Sequence, residues 1–562
     1  MSNRILALFL FVACSLSSRA QVEANDSHNY SVEKNLELFN YIYKSLDMMY
    51  VDTLDADKVV GYAVDAMLSY LDPYTEYYPE SKQGDLKMLM SGKYAGIGSM
   101  IRYNLKLKRV VIDEPYENMP AAEVGLKKGD IIISIDDSIM TDKDVSYVSE
   151  HLRGEPGTSF VLKILRPTTG KTMKFNIKRK SIQLPHISYY GLQPDGVGYL
   201  SLTSFTGDDV AKEFRRAFID LKNQGMKKFV LDLRDNGGGS LSEAVEIVNM
   251  FVPKGLTIVE TKGKLDRSNQ KYVTGKEPVD TEMPIVVLVN GGTASAAEIT
   301  CGSLQDLDRA VVMGTRTFGK GLVQYPNLSL PYNSNLKLTT GRYNIPSGRC
   351  IQAINYKHGD SGRYVEHVPD SLTKVFHTAN GREVRDGGGI KPDCEVKSDT
   401  IPNIAYYLTA SARDSTESTL NWEINYIKNH KTIPSPDTFS LSDADYEDFM
   451  NTVIANGFKY DRESGKYFSN LVKVAKFEGY YDDARQEFDA LEKKLSHNLS
   501  KDLEYNKNII KQMLEMDIVS AYYYQRGQVQ YSLRYDKQGR SCCALSKRSE
   551  DVRQVGKNQY YP

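Results

Sequence analysis

A serine in the middle of the chain stands where a catalytic nucleophile would be expected. Ser295 follows a short apolar run, residues 285–289, and a pair of glycines. The apolar run predicts a buried strand, the glycines predict a sharp turn, and residues 293–304 are rich in helix formers. Ser295 is therefore expected near a helix N-terminus, where the unpaired N–H of Ala296 could hold negative charge developing on a carbonyl oxygen.

A serine needs a base within hydrogen-bond reach, and the usual base is histidine. The eight histidines leave a gap between His186 and His358, so an imidazole could reach the serine only by folding back from a distance. Lysine is the other known base, and Lys320 lies between glycines that let the backbone approach closely. If residues 322–328 form a strand, Gln324 and Lys320 project to one face, and the amide carbonyl could orient the amine.

Simpler interpretations compete with a catalytic one. A lone serine after a glycine turn is usually a helix cap, and a lysine between glycines is usually a solvated loop residue. Residues 314–320 also spell most of a phosphate-binding loop. That motif needs Ser or Thr at the next position, where Gly321 stands, and it needs a helix where the sequence predicts a strand. The nucleotide-binding interpretation is therefore disfavoured.

Three segments together resemble a known family. They are Gly-Gly-Thr-Ala-Ser-Ala-Ala-Glu at 291–298, Thr-Phe-Gly-Lys-Gly at 317–321, and Gln324. The pattern is similar to that of the C-terminal processing (tail-specific) peptidases, which are serine endopeptidases with a Ser-Lys dyad on a crotonase-like core. The resemblance implies that Ser295 is the nucleophile, Lys320 the general base and Gln324 the residue that orients the lysine, with no metal and no cofactor.

A second motif of that family lies at residues 232–239, Asp-Leu-Arg-Asp-Asn-Gly-Gly-Gly. Taken alone, it reads as a turn that leads into a helix. The resemblance implies that a glycine N–H, that of Gly238, pairs with the Ala296 N–H to form an oxyanion hole. Losing one such donor typically costs about two to three orders of magnitude in rate, so the placement of these groups matters as much as the nucleophile.

Residues 87–180 look like a separate unit of short strands. Three segments carry this prediction: Tyr94-Ala95-Gly96-Ile97-Gly98, Gly-Leu-Lys-Lys-Gly-Asp-Ile-Ile at 125–132, and Leu-Arg-Gly at 152–154. Together they are similar to a PDZ domain. The similarity implies that a peptide binds as an added strand and that backbone N–H groups of residues 94–98 hold its terminal carboxylate.

Strand, glycine turn and helix alternate through residues 197–304, which indicates a layered α/β core with ligands near the strand ends. The predicted fold class is α/β (α+β) multidomain, with a crotonase/ClpP-like layered core, an inserted β-rich PDZ domain and helical N- and C-terminal regions. The expected boundaries are 1–20 for a signal peptide, 21–86 for an N-terminal helical region, 87–180 for the PDZ domain, 181–400 for the peptidase core and 401–562 for a mainly helical C-terminal region.

Other stretches predict local structure. Apolar spacing between residues 31 and 70 predicts two helices, the second ended by Pro73. The spacing from Phe488 to Ile518 predicts one long amphipathic helix that ends at Gly527. Residues 353–385 read as a polar, glycine-rich insertion, for which a flap over the cleft is one interpretation.

The first twenty residues predict a targeting segment. Arg4 supplies a positive charge, residues 5–12 form an apolar run too short to span a bilayer, and residues 18–20 suit a cleavage site. Export to a bacterial periplasm or cell envelope is therefore expected. Cys14 allows a second form of the mature N-terminus. In that form the chain is cut before Cys14 and lipidated on it, so that the protein attaches to a membrane.

Composition limits the remaining choices. The 562 residues carry a formal net charge of −1, which provides no basic field for nucleic acid. The six cysteines form neither a disulfide framework nor a zinc pattern. The prediction is an exported serine endopeptidase that acts on flexible protein C-termini, with homo-oligomerisation left open. A catalytically idle, PDZ-containing envelope adaptor is the main alternative, and a crotonase-like acyl-CoA enzyme would leave the PDZ segment unexplained.

Overall fold

The computed structural model of the protein describes residues 27–355, 366–367, 369–397, 400–409, 416–495, 498–537 and 539. The predicted signal segment with Cys14, the residue His358, and residues 356–365 and 368 of the predicted insertion lie outside the described residues. The chain divides into two compact units, residues 1–77 and residues 78–562.

The first unit contains the two predicted helices, at residues 27–49 and at Ala56–Ser69. Asp55 begins the second helix, because its carboxylate accepts a hydrogen bond from the Lys58 N–H at 3.2 Å. That helix ends four residues before Pro73, in agreement with the prediction. A three-residue strand, Glu76–Tyr78, lies at the boundary of the two units.

The second unit begins with helix Gln83–Ser91 and continues into an antiparallel sheet. The strands of this sheet are Ser99–Asn104, Arg109–Pro115, Ile131–Ile135, Ser159–Arg166 and Lys171–Lys178, with the short strand Ser138–Ile139 paired to the third. Helices Pro120–Glu123 and Val145–Leu152 complete it. Strand Lys93–Gly96 pairs with strand Lys180–Gln183, so the chain enters and leaves this region side by side.

A six-stranded sheet forms the centre of the second unit. In spatial order its strands are Ile187–Gln193, Val197–Leu202, Lys228–Asp232, Ile285–Val289, Val311–Gly314 and Cys394–Glu395. The first pair is antiparallel and all the others are parallel. All five residues of Ile285–Val289 are buried, which confirms the buried strand predicted from its apolar run.

Three helices pack on this sheet: Val210–Asn223, Leu241–Asn249 and Ala296–Asp306. Strands 228–232 and 285–289 are parallel neighbours, so their carboxyl ends lie at the same edge of the sheet. The segment at 232–239 leaves one of these ends and the turn with Ser295 leaves the other. The topology therefore brings the two sequence motifs together.

Four further strands of the second unit form another antiparallel sheet, in the order Lys271–Val273, Thr257–Gly263, Ser334–Asn344 and Leu322–Leu330. The strand predicted at 322–328 is thus confirmed. Two short hairpins follow, Ile354–Asn355 with Glu366–His367 and Val375–His377 with Glu383–Arg385. Arg382, directly before the last strand of the second hairpin, binds Asp308 at 2.6 Å. Asp308 follows the C-terminal end of helix Ala296–Asp306, whereas Ser295 precedes its N-terminal end.

The C-terminal part is helical. Its helices are Asn403–Thr409, Ser418–Asn429, Asp443–Ala455, Glu463–Glu478, Arg485–Leu495, Leu499–Tyr505 and Lys507–Ser532. Short 3₁₀ turns occur at Glu80–Lys82, Pro194–Gly196, Asp266–Ser268 and Asp370–Leu372. Among the described residues, no helix combines the length and the apolar character needed to cross a membrane.

The single helix predicted from Phe488 to Gly527 is wrong. The Asn498 side chain accepts a hydrogen bond from the Ser500 N–H at 2.9 Å and starts a new helix, and another begins after Asn506. The last helix is interrupted by a kink at Tyr524, whose backbone has φ 57° and ψ −169°. Gly527, the predicted end, lies three residues after this break, and a Cβ atom there would be 2.2 Å from the Cβ atom of Tyr523.

The aromatic cluster beneath the core sheet provides a test of the packing. The Phe229 ring lies 5.0 Å from that of Phe218 and 6.0 Å from that of Phe214, both nearly perpendicular. Phe229→Ala is expected to lower the free energy of unfolding of the core by about 3–5 kcal/mol, because it leaves a cavity. Denaturant unfolding measures this change.

Tyr332→Ala is the control, because Tyr332 is 94% exposed and its loss should change stability by less than about 0.5 kcal/mol. Equal effects of the two variants would contradict the assigned core.

Candidate active site

Ser295 lies directly before helix Ala296–Asp306, in agreement with the predicted helix N-terminus. Its backbone has φ 56° and ψ −118°, a region that non-glycine residues rarely occupy and that costs about 1–3 kcal/mol. Such a conformation persists only where surrounding contacts hold it. The first of these contacts is the Ser295 N–H, which donates to Glu298 Oε2 at 2.9 Å.

Glu298 is a fully buried carboxylate in the first turn of this helix. It accepts four hydrogen bonds, two at each oxygen. The donors are the Ser295 N–H at 2.9 Å, the Lys320 N–H at 2.8 Å, the Gly319 N–H at 2.7 Å and the Thr317 hydroxyl at 2.5 Å. One carboxylate therefore fixes both the turn that carries the serine and the loop that carries the lysine.

Two opposing effects act on this carboxylate. Burial raises the pKa of Glu298 above its ordinary value, because a charged carboxylate loses its hydration. The four donors act in the opposite direction, because each stabilises the ionised form. All four contacts supply hydrogen atoms to the carboxylate and none requires one from it, so the geometry suits the ionised form.

A tyrosine provides a second connection between the same two segments. The hydroxyl of Tyr343 lies 2.8 Å from the carbonyl oxygen of Lys320 and 3.2 Å from that of Ser295, and its single O–H hydrogen is shared between these two acceptors. The side chain is buried, which raises the pKa of Tyr343 well above its ordinary value and keeps the hydroxyl protonated. The serine turn and the lysine loop are thus tied through both their N–H and their C=O groups.

Every predicted catalytic and oxyanion residue lines one cleft of about 830 Å³: Ser295, Lys320, Gln324, Gly238 and Ala296. Lys320 and Gln324 were predicted to share a face because side chains alternate along a regular strand, and that reason is wrong. Lys320 precedes strand Leu322–Leu330, and the strand register shifts between Val323 and Gln324. The loop and this bulge, rather than regular pleating, bring the two side chains to the same cleft.

The amide of Gln324 has a defined partner. Its Nε2 donates to the Thr339 hydroxyl oxygen at 3.3 Å, across the hairpin formed with strand Ser334–Asn344. Because the nitrogen end of the amide is used in this bond, the carbonyl end is the one suited to accept from an amine in the cleft.

Gly238 approaches the serine closely. Its φ is 96°, and a Cβ atom there would lie 2.7 Å from the Ala294 carbonyl oxygen and 2.8 Å from Ser295 Cβ. Only glycine fits this position. The Gly238 N–H, however, donates to Asn236 Oδ1 at 2.9 Å.

Gly238 and Ala296 therefore line the same cleft, but the N–H of Gly238 already donates to another acceptor. The Ala296 N–H opens the helix and makes no hydrogen bond to another residue that the structure describes. The Gly238 N–H can serve an oxyanion only if its bond to Asn236 is shared or exchanged. The pairing of the Gly238 and Ala296 N–H groups as an oxyanion hole stays a prediction, to which the structure adds a competing acceptor within the same glycine turn.

The histidine that could have folded back is engaged elsewhere. His186 is buried, with Nδ1 2.9 Å from Glu213 Oε2 and Nε2 3.0 Å from the Thr206 carbonyl oxygen. Both ring nitrogens therefore face acceptors other than Ser295. Of the two candidate bases, Lys320 is the one that lines the cleft.

Sequence reasoning assigned no role to Glu298, Thr317 or Tyr343. The Ser295-Ala-Ala-Glu298 spacing is that of a capping box, so the glutamate carried a usable signal. Thr317 lies within the quoted segment before Lys320, but nothing in the sequence relates it to Glu298. Tyr343 is far along the chain and gave no signal, since its contact arises from the path of strand Ser334–Asn344.

A second candidate site lies in the first sheet of the second unit. The predicted loop residues Tyr94, Ala95, Gly96, Ile97 and Gly98 span strand Lys93–Gly96 and the turn after it, where Gly98 has φ 68°. Tyr94, Gly96 and Ile97 line a cavity of about 190 Å³, together with Arg153. The cavity lies at the start of Ser99–Asn104, an edge strand of its sheet. An exposed strand edge beside an arginine suits an extended peptide with a carboxylate.

Three families match parts of the chain. Residues 196–358 match Peptidase family S41, residues 111–166 match a PDZ domain, and residues 405–544 match a family described as "Probable PDZ-protease, C-terminal helical domain". The S41 match contains the serine turn and the lysine loop. The PDZ match lies within the antiparallel sheet that follows helix Gln83–Ser91.

Individual proteins resemble the chain over longer stretches. A "Carboxy-terminal-processing protease" of Bartonella bacilliformis is 34% identical over 350 residues, which cover 61% of this chain and 79% of that protein. A "Probable CtpA-like serine protease" of Staphylococcus haemolyticus is 30% identical over 370 residues, which cover 62% of this chain and 73% of that protein. A solved structure titled "Photosystem II D1 C-terminal processing protease" covers 65% of this chain and 94% of its own, with 26% identity and a TM-score of 0.35. The chain belongs to peptidase family S41, and it is a C-terminal processing serine peptidase.

Proposed function

We propose that the cleft formed by the serine turn and the lysine loop cleaves flexible protein tails through an acyl-enzyme on Ser295. The observation that most supports this proposal is that one carboxylate, that of Glu298, binds the backbone N–H groups of both Ser295 and Lys320. A shared buried anchor of this kind supports a nucleophile and a base that act together. A catalytically idle adaptor would have no use for this arrangement.

In the proposed mechanism, Ser295 Oγ attacks the carbonyl carbon of the scissile bond while the Lys320 amine takes its proton. The carbonyl oxygen becomes negative and accepts from the Ala296 N–H. The lysine then gives the proton to the leaving nitrogen, and the new C-terminal fragment departs. Water then gives a proton to the same amine and adds to the acyl carbon. The bond from that carbon to Ser295 Oγ breaks as the lysine returns the proton to Oγ, and the N-terminal fragment leaves as a carboxylic acid.

Lys320 must be neutral at the start of this cycle. A free lysine has a pKa of about 10.4, so the amine form is scarce near neutral pH unless its surroundings disfavour the charge. The Gln324 carbonyl is suited to orient the amine, because the nitrogen end of that amide is bound to Thr339. No step requires a metal or a cofactor.

The PDZ domain supplies the proposed selection of substrate. A free C-terminal carboxylate would bind at residues 94–98, beside Arg153, and the preceding residues would extend along Ser99–Asn104. Unfolded or flexible C-termini are the substrates that fit, because a folded segment cannot add to a strand edge.

The proposed location follows from the first residues of the sequence. We propose that the protein is exported to the periplasm or cell envelope, either as a soluble chain cut after Ala20 or as a lipoprotein that begins at Cys14. The intact mass of the mature protein distinguishes these endings. A retained Met1 would contradict both. Homo-oligomerisation is compatible with this proposal but is not required by it.

The dyad is tested by single replacements. Ser295→Ala and Lys320→Ala are each expected to abolish cleavage of an unfolded protein while the melting temperature stays within a few degrees, because each removes half of one proton-transfer unit. Gln324→Ala should be milder. For the wild type, kcat/KM should rise with pH as the lysine loses its proton. Normal turnover by Lys320→Ala would contradict the assigned base.

Glu298 is tested as a positioning residue. Glu298→Gln places an NH₂ group against N–H donors, so we expect kcat to fall by about 100-fold while KM changes less than about threefold. Circular dichroism and thermal unfolding report the folded fraction. Glu155→Gln, on an exposed loop, is the control.

A loss of kcat no larger than the loss of folded protein would reduce Glu298 to a purely structural role.

Substrate selection is tested with one peptide made as a free acid and as an amide. Amidation removes the terminal charge and is expected to raise KM by about tenfold or more, since it removes charge-assisted hydrogen bonds. Gly98→Leu, at a backbone position with φ 68° whose Cβ atom would lie 2.5 Å from Met119 Cβ, should abolish the difference. Equal KM values for acid and amide in the wild type would exclude this mode of selection.

A further inference from the structure

A cavity of about 460 Å³ lies between the PDZ domain and the C-terminal helices. Neither the Ser295 cleft nor residues 94–98 contribute to its lining. The PDZ domain contributes Arg102, Asp113 and Lys128. Glu417, Glu423 and Asp517 line the opposite side, on and beside the helices Ser418–Asn429 and Lys507–Ser532. The six ionisable groups comprise four carboxylates and two cations, so the cavity has an excess of two negative charges when all six are ionised.

The two cations are already paired. Arg102 lies 2.7 Å from Glu417 and 3.8 Å from Asp113, and Lys128 lies 3.2 Å from Glu423. The side chains of Glu417 and Glu423 are each only 2% exposed. These pairs neutralise Glu417 and Glu423 and leave the charges of Asp113 and Asp517 unbalanced.

Three buried polar atoms in the wall lack hydrogen-bond partners. One is Arg102 Nε, which lies 3.8 Å from Asp113 Oδ1. Glu423 uses Oε2 for Lys128, while its Oε1 has no hydrogen-bond partner. The Thr419 hydroxyl also has none, and Thr419 is 7% exposed. Leaving such atoms unsatisfied is costly, so an occupant that donates hydrogen bonds is expected. Burial raises the pKa of Glu423 to about 8, so a cation bound in the cavity would favour the ionised form of this carboxylate.

Water alone would satisfy hydrogen bonds but would leave the two negative charges. A metal ion also fits poorly, because the described part of the chain contains no group of three or more His, Cys, Asp or Glu side chains placed to hold one. The rest of the wall is apolar and flexible, with Leu408, Leu420, Met513 and Met516. The occupant indicated is an organic cation with an aliphatic body.

We propose that this cavity binds a linear aliphatic diammonium group, with its two charges against the unbalanced carboxylates and its chain against the leucine and methionine side chains. Two sources carry this chemistry: a free diamine, and the amino-terminal lysine of a peptide. Because both domains line the cavity, the ligand would also strengthen their contact. This proposal is independent of the reaction assigned to Ser295.

The test uses the full chain with 1,4-diaminobutane as the probe, measured by isothermal titration calorimetry and by thermal unfolding. We expect one molecule bound per chain and a rise in melting temperature, as for any ligand that binds the folded state alone. n-Butylamine, with one charge, should bind at least tenfold more weakly. Sodium chloride at equal ionic strength should give no such rise. L-Lysinamide tests the second source, and the tighter binder of the two dications identifies it.

Two variants locate the site. Asp113→Asn and Asp517→Asn should each weaken diamine binding at least tenfold, because each removes one of the two unbalanced negative charges. Asp482→Asn, an exposed carboxylate elsewhere in the helical region, should bind as the wild type does. The proposal is overturned if neither dication binds, if both cavity variants bind as tightly as the wild type, or if salt reproduces the stabilisation.

Discussion

The buried carboxylate of Glu298 is the interaction on which the catalytic arrangement depends. Hydrogen bonds to a charged group contribute about 1.5–3 kcal/mol each, and this carboxylate accepts four. These bonds oppose the desolvation of the carboxylate, and the bond from the Ser295 N–H helps to hold the strained backbone of Ser295. The same bonds set the spacing between the serine turn and the lysine loop, which come from different parts of the fold.

The parallel core sheet explains why these parts meet. Strands Lys228–Asp232 and Ile285–Val289 end at one edge, so the glycine turn after the first touches the serine after the second. The hairpin from Leu322 to Asn344 then supplies Gln324 and Tyr343 from the other side. The S41 match at 196–358 contains all of these elements.

Local signals predicted much of this arrangement. Ile285–Val289 was predictable because five successive apolar residues suit only a buried strand or helix, and the glycine pair decided between them. Ser295 and Lys320 were found through short motifs. The role of Tyr343 was not predictable, because it depends on a contact between residues 48 positions apart that only the folded hairpin creates. The acceptor that competes for the Gly238 N–H was not predictable for a related reason, since it depends on the direction of the Asn236 side chain.

The C-terminal helices show a different limit. The apolar spacing continues from Phe488 to Ile518, but the Asn498 cap and a break at Asn506 divide this stretch among three helices, and the last helix is kinked at Tyr524. Periodicity records which face is buried and does not record where hydrogen bonding restarts. The buried charges shared with the PDZ domain, such as Lys128 with Glu423, were equally invisible, since their residues are about three hundred positions apart.

The most direct test of the account is the site of acylation. A p-nitrophenyl ester of a blocked peptide, mixed rapidly with the protein and quenched with acid, should leave a covalent adduct with the mass of the acyl group. Peptide mapping by mass spectrometry should locate that adduct on Ser295, and it should be absent from Lys320→Ala. An adduct on another side chain, formed at the rate of turnover, would contradict the proposed nucleophile.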